Sequence, residues 1–592
     1  MKNFWGAFLG SLLALFIGGF VFLILSLVML GAMVAAFSSE EVTQIDYNTV
    51  LKIDFSENIV DNPPQNLLGT LDPFTMRVTR STSLLSVLNA IESAANDERI
   101  KGIYLNMSTV SVGMASMEEI RDALLQFKES GKFIISYSNY YTQSTYYLAS
   151  VADKVYVNPE GAVEWKGMSS TLLFFKGTLD KLGIEPEIYR VGEFKSAVEP
   201  FMLDKMSPEN RQQYEVLLGS IWGNIVSEIA ASRQLDSAAL QLYATTLAVE
   251  NPQKAVALGM IDAVKYSDQV LGELAEEVYY DAEKTVDFVS LSEYISAPKS
   301  KGSRRSSKNR VAVIYAEGDI VDGTAPESMI GGDDLAARIA KVRKDDKVKA
   351  VVLRVNSPGG SALASEVIWR EMTLLQKEKP VVVSMGNYAA SGGYYIACPA
   401  DLIMADKHTL TGSIGVFGLM FNMEDALRNK LGVTTDVAKT NPSGDIGNLF
   451  RPTTPAERAY IQNSVEDVYR TFVVHVADGR NLSRESVLEI AGGRVWSGIS
   501  AASIGLIDGY GGLKDAIELA ADRAGIAGDY RIVTPNEELD QFQQLLNSFL
   551  TSKIGSKMNA GEMELLKEYR SMMLILEQEG VQARMPYTLQ IQ

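Results

Sequence analysis

The chain has 592 residues, with 55 Lys and Arg against 73 Asp and Glu, and a net charge of −18. At roughly 100–200 residues per domain this length implies about three or four units, and so acidic a chain offers no general surface for nucleic acid. The single cysteine, Cys398, excludes an intrachain disulfide and a thiolate metal site, and with only two histidines, His408 and His475, a zinc hydrolase is not expected; no metal or cofactor enters the reading.

From Phe4 to Phe37 a run of 34 residues carries no charge, more than the roughly 20 that a helix needs to cross a hydrocarbon core. Residues 1–39 therefore read as one transmembrane helix. Lys2 precedes the span and Glu40 and Glu41 follow it, which keeps the N-terminus cytoplasmic and exports the body. The run exceeds the roughly 7–15 apolar residues of a cleavable signal peptide, although Ala35 and Ala36 leave cleavage open.

The remainder compares with itself. A shift of 248 places Ser136, Asn139, Tyr140, Tyr146, Tyr147, Ala149, Ala152, Asp153 and Gly167 on Ser384, Asn387, Tyr388, Tyr394, Tyr395, Ala397, Ala400, Asp401 and Gly415, and the same register joins KGIYL (Lys101 to Leu105) to KAVVL (Lys349 to Leu353). The chain is thus a tandem duplication: a first copy over 40–297, a basic linker over 298–310 (PKSKGSRRSSKNR), a second copy over 311–534 and a helical tail over 535–592. The linker reads as a solvated connection. In each copy, short β-branched runs such as RVAVIYAEGDI and PVVVSMG alternate with amphipathic stretches such as DDLAARIAKVRKD. This is α/β patterning around a buried, largely parallel sheet.

A fold needs both copies, whereas chemistry needs only one set of groups, so the differences between the copies are informative. NSPGGS (Asn356 to Ser361) stands in the second copy where the first has Ser108 to Gly113. Gly359 and Gly360 can turn sharply and present backbone N–H groups to an oxyanion, or can simply form a strand-to-helix turn. GNYAASGGYY sets Ser391 opposite Gln143 of the first copy; flanked by small residues ahead of a helical run, Ser391 is a candidate nucleophile or a helix cap. The first copy in turn carries VGEFKSAVEP, where Lys195 falls near Gly444 of the second. A buried lysine can lose its proton and serve as the base for a serine. One copy has kept a serine and the other a lysine.

Taken together, the tandem layout, the apolar N-terminus, GEFKSAVEPF, NSPGGS, NYAASGGYYIA and TGSIGVFG resemble the long, double-repeat form of the signal peptide peptidase A (protease IV) family. The resemblance implies a duplicated crotonase/Clp-protease-like domain, a serine peptidase with Ser391 as nucleophile and Lys195 as general base, and Ser413 of TGSIG bonded to the lysine amine. It also implies an oxyanion-hole region at Gly359, Gly360 and Gly392. The implied substrates are remnant signal peptides and other apolar peptides beside the membrane, and the implied assembly is a homotetramer held to membrane lipid on the exported side of a bacterial inner membrane. Three rivals are weighed against it. His408, 17 residues after Ser391, could serve a Ser-His-acid triad; a crotonase-like fold could bind acyl coenzyme A; or the motifs could serve folding alone.

Overall fold

The computed structural model describes residues 45–55, 57–63, 81–107, 109–297, 307–326, 328–535 and 581–585. Every one of these lies in a single compact unit. The apolar N-terminal span, linker residues 298–306 and most of the tail, 536–580 and 586–592, lie outside them.

Each copy builds a parallel sheet from the β-branched runs. From edge to edge, the first is Ala263–Val264, Lys154–Val163, Phe133–Tyr141, Ile100–Leu105, Thr49–Ile53 and Asp287–Ser290. In the second copy the strands Gly509–Tyr510, Leu402–Ala405, Val381–Ala390, Val348–Ser357, Arg310–Glu317 and Arg531–Val533 follow one another in the same order, again all parallel. Val351, Val352, Leu353, Val381, Val382 and Val383 are fully buried, as expected for a sheet covered on both faces. The duplication extends to single hydrogen bonds. Asp153 accepts from the Ile134 N–H at 2.8 Å and Asp401 from the Val381 N–H at 2.8 Å; Tyr146 donates to the Met260 carbonyl and Tyr394 to that of Leu506, at 2.6 and 2.8 Å.

A further sheet belongs to neither copy alone. Its order is Ile330–Gly331, Ile320–Val321, Gly359–Ser361, Gln582–Arg584, Val416–Asn422 and Glu185–Val191. The last two strands come from different copies and pair antiparallel over seven residues, from Val416 opposite Val191 to Asn422 opposite Glu185. Gln582–Arg584 departs from the expected helical tail. This segment finds two open strand edges, and pairing with both satisfies its backbone groups in a buried place where a helix would leave the edges bare.

Two polar locks hold the copies together. Arg354, fully buried, donates to Asp61 at 2.9 Å and to Glu119 at 2.6 Å, both carboxylates coming from the first copy. Asn387 accepts from the N–H groups of Ala115 and Ser116 at 3.1 and 3.3 Å. The helix Met114–Lys128 begins at Gly113, which has no side chain to cap it, so a residue of the other copy supplies the cap.

Candidate active site

Strand Val381–Ala390 ends where helix Gly392–Ala397 begins, and Ser391 is the hinge between them. Its backbone sits at φ 56° and ψ −113°, a conformation rare for a residue with a Cβ, and its side chain makes no cap bond. The turn is held by the Ser391 N–H donating to the Gly412 carbonyl at 2.7 Å and the Tyr395 N–H donating to the Ser391 carbonyl at 2.8 Å. Small neighbours are required here. A Cβ on Gly392 would stand 2.7 Å from Ser365 Oγ, and one on Gly393 2.6 Å from the Ser357 carbonyl oxygen.

Lys195 arrives from the other copy. It follows strand Glu185–Val191, whose pairing with Val416–Asn422 aims the succeeding turn at the second copy. Lys195 Nζ lies 2.8 Å from Ser391 Oγ, 3.1 Å from Ser413 Oγ and 3.2 Å from the Ser413 carbonyl oxygen. All three residues are fully buried. Burial holds the lysine pKa well below its ordinary value. A neutral amine has two N–H groups and one lone pair. Ser413 Oγ–H donates to the Gly493 carbonyl at 3.2 Å, so this oxygen is free to accept from the amine, as is the Ser413 carbonyl. The lone pair is then left for the Ser391 hydroxyl.

A second-copy loop clamps the lysine turn, and nothing in the motifs pointed to it. The Phe194 N–H donates to the Gly492 carbonyl at 2.9 Å, and a Cβ on Gly493 would meet Lys195 Cβ at 2.7 Å. The Arg494 guanidinium lies over the rings of Phe194 and Trp496, at 5.1 and 4.3 Å. Gly492 and Gly493 both have positive φ; the signal available in the sequence was the glycine pair of AGGR, which alone says only that the chain turns.

Gly359 and Gly360 have φ of 102° and 153°, so the pair is a left-handed turn that side chains would strain. A Cβ on Gly359 would lie 2.7 Å from the Gly392 nitrogen, which places the NSPGGS turn against the residue after Ser391. The sequence-derived set Ser391, Lys195, Ser413, Gly359, Gly360 and Gly392 therefore converges on one place. His408 does not join it. Its Nδ1 is 2.9 Å from Glu118 Oε2 and its Nε2 3.2 Å from Asn224 Nδ2, so both ring nitrogens are engaged elsewhere. Gly444 lies exposed outside any strand.

Known proteins resemble this chain over most of its length. The model of peptidase family S49 matches residues 126–281 and again 373–527, an offset close to the 248 of the internal register. "Protease 4" of Salmonella typhi is 37% identical over 521 residues, covering 85% of this chain and 82% of the relative. "Protease 4" of Haemophilus influenzae is 37% identical over 75% of this chain and 73% of its own. "Serine protease SPPA, chloroplastic" of Arabidopsis thaliana is 34% identical over 87% and 76%. Among solved structures, a ClpP1 mutant from Listeria monocytogenes aligns with 35% of this chain at a TM-score of 0.24 and 14% identity, too weak a likeness to assign a fold. With two copies of the family domain and relatives matched over most of both chains, the protein belongs to peptidase family S49, as a serine peptidase of the tandem-repeat signal peptide peptidase A type.

Proposed function

We propose that the protein is a membrane-anchored serine endopeptidase with a Ser-Lys dyad, degrading remnant signal peptides and other apolar peptides beside the membrane. The observation that carries the dyad is the 2.8 Å approach of Lys195 Nζ to Ser391 Oγ in a buried site. Neutral Lys195 takes the Ser391 proton as Oγ adds to the peptide carbonyl. Backbone N–H groups in the region of Gly359, Gly360 and Gly392 hold the tetrahedral oxyanion. The lysinium, kept in place by Ser413, then protonates the leaving amine, and water hydrolyses the acyl enzyme.

Placement beside a bilayer rests on the uncharged run from Phe4 to Phe37; an anchor there sets the body on the exported side of a bacterial inner membrane, where signal peptides are left after processing. Among the described residues no helix is long and apolar enough to cross a membrane. The duplicated domain is read as crotonase/Clp-protease-like on the NSPGGS turn and the serine hinge. A homotetramer is supported by an asymmetry. Glu185–Val191 and Val416–Asn422 pair across the copies, whereas their counterparts under the 248 shift, residues 168–174 and 433–439, form no strand in this chain. Those segments expose Leu173, Val433 and Val437, apolar side chains that a second copy would cover. Cleavage of an apolar signal-like peptide tests the dyad: Ser391→Ala and Lys195→Ala are inactive but folded, while His408→Ala keeps its rate. Near-normal turnover of Lys195→Ala together with failure of His408→Ala would move the base to the histidine.

A further inference from the structure

A cavity between the copies shares no residue with the Ser391 site and is short of positive charge. It measures about 120 Å³ and is walled by Leu88, Glu119 and Ala123 of the first copy and by Asp406, Gly512 and Lys514 of the second. About 10–15 Å³ of such space holds one water, so there is room for a ligand of several heavy atoms. The exposed part of the lining is acidic, with Glu92, Asp122, Asp515 and Glu518. Glu119 and Asp406 belong to its buried part.

Several of these carboxylates already have partners. Glu119 accepts from Arg354 at 2.6 Å and from the Leu513 N–H at 2.7 Å, and Asp515 accepts from the Gly512 N–H at 2.8 Å. Lys514, the cation of the lining, is taken up by Glu92 at 2.6 Å. Asp406 is different. It follows strand Leu402–Ala405, is 4% exposed, and closes its backbone on Thr409: its N–H donates to Thr409 Oγ1 and its carbonyl accepts from the Thr409 N–H, both at 3.1 Å. Its side chain stands in the cavity lining, and the buried Oδ2 has no hydrogen-bond partner among the described residues. An oxygen left so is costly unless something meets it. Burial, and after it the charges of Glu119 and Glu118, push this carboxyl well above the usual carboxylate range, and a cation docked against it favours the ionised form.

We propose that this cavity binds a small organic diamine, with one ammonium group against Asp406 in the buried part, the other among the exposed carboxylates, and the methylenes between them on Leu88 and Ala123. A metal ion suits the lining less well. Among the described residues no three Asp, Glu, His or Cys side chains are grouped as a metal ion needs. An ammonium group carries three donors, which carboxylate oxygens accept, and its alkyl chain is matched by the two apolar side chains. Because the walls come from both copies, an occupied cavity ties them together, and a ligand bound only by the folded chain adds to its stability.

Titration calorimetry of the full chain in detergent, with putrescine, butylamine and Mg²⁺ as probes, tests this. The unaltered protein binds one putrescine per chain, Mg²⁺ does not displace it, and butylamine, with a single ammonium group, binds at least about tenfold more weakly. Asp406→Asn keeps the shape of the side chain, removes its charge and weakens putrescine by at least about tenfold. Absence of binding overturns the inference and means that Asp406 simply keeps a proton. Binding that is indifferent to Asp406→Asn overturns it as well, since the diamine then sits elsewhere on an acidic chain, and so does displacement of putrescine by Mg²⁺, which would make the site a metal's. Gln126→Lys gives an independent check, because Gln126 lines the cavity from an exposed position and a lysine there is a tethered ammonium group. This variant has a higher urea midpoint than the unaltered protein and no longer binds putrescine; an unchanged midpoint with unchanged affinity would overturn the inference.

Discussion

The turn that carries Ser391 has a twin in the first copy, and the two solve the same corner differently. In the first, Thr142 caps helix Gln143–Ala149 at φ −67°, its side chain accepting from the Thr145 N–H. Gln143, at the position matching Ser391, donates to the Gly167 carbonyl and accepts from the N–H groups of Lys166 and Gly167, each at 2.9 Å. Gly167 is the counterpart of Gly415, whose carbonyl oxygen lies 3.5 Å from Ser391 Oγ. A relaxed, capped turn filled by an amide thus stands against a positive-φ, uncapped turn left open for a lysine from elsewhere. Where the serine is absent, hydrogen bonds take over the space; where it stands, the chain holds the conformation that costs stability.

The largest effect in breaking this asymmetry comes from its chemical side. Ser391→Ala lowers peptide hydrolysis by at least about 10⁴-fold, and adding Gln143→Ser to that variant restores nothing, because no lysine reaches the first turn; activity in the double variant would mean the copies are interchangeable. Next is the lock between the copies. Glu119→Ala leaves Arg354 buried with one carboxylate fewer and costs about 3–5 kcal/mol, read as a lower midpoint in urea.

Ser413→Ala removes one acceptor of the lysine amine, a loss of about 1–3 kcal/mol for a buried polar group left unmet. It therefore reduces kcat/KM by roughly 5- to 150-fold with Ser391 still in place.

The smallest and most condition-dependent effect concerns Lys195 itself. Its folded pKa is depressed by burial, so between that value and the unfolded value of about 10.4 the unfolded chain binds a proton the native chain does not. Stability then rises with pH across this window. Lys195→Met lacks the term, so the variant gains on the unaltered protein as pH falls and the difference narrows toward about pH 10.4; a difference independent of pH would mean the lysine is charged in the native state. kcat/KM increases with pH through the depressed folded pKa, where the lysine becomes neutral, and is level across the window above it.

Much of the molecule was legible in the residues. The 248 register found the duplication, and the disagreement between copies at Ser391/Gln143 and Lys195/Gly444 singled out two residues that the structure sets 2.8 Å apart, because each stands unmatched in an otherwise matched block. Ser413 came only through family likeness, since a serine in a loop carries no signature of its own. Gly492, Gly493 and Arg494 were missed for the same reason: they lie against Phe194 and Lys195, almost 300 positions away in the chain.

The amino-acid sequence by itself determined the repeated α/β pattern, the largely parallel character of the sheet in each copy and which residue types could do chemistry, all of which follow from local periodicity and pairwise comparison. Only the tertiary structure decided that Glu185–Val191 crosses to pair with Val416–Asn422 and so delivers Lys195 to Ser391, and that Gln582–Arg584 enters the shared sheet as a strand. Both are pairings between distant backbone edges. Their hydrogen bonds are made by groups that every residue carries, so no side-chain pattern announces them.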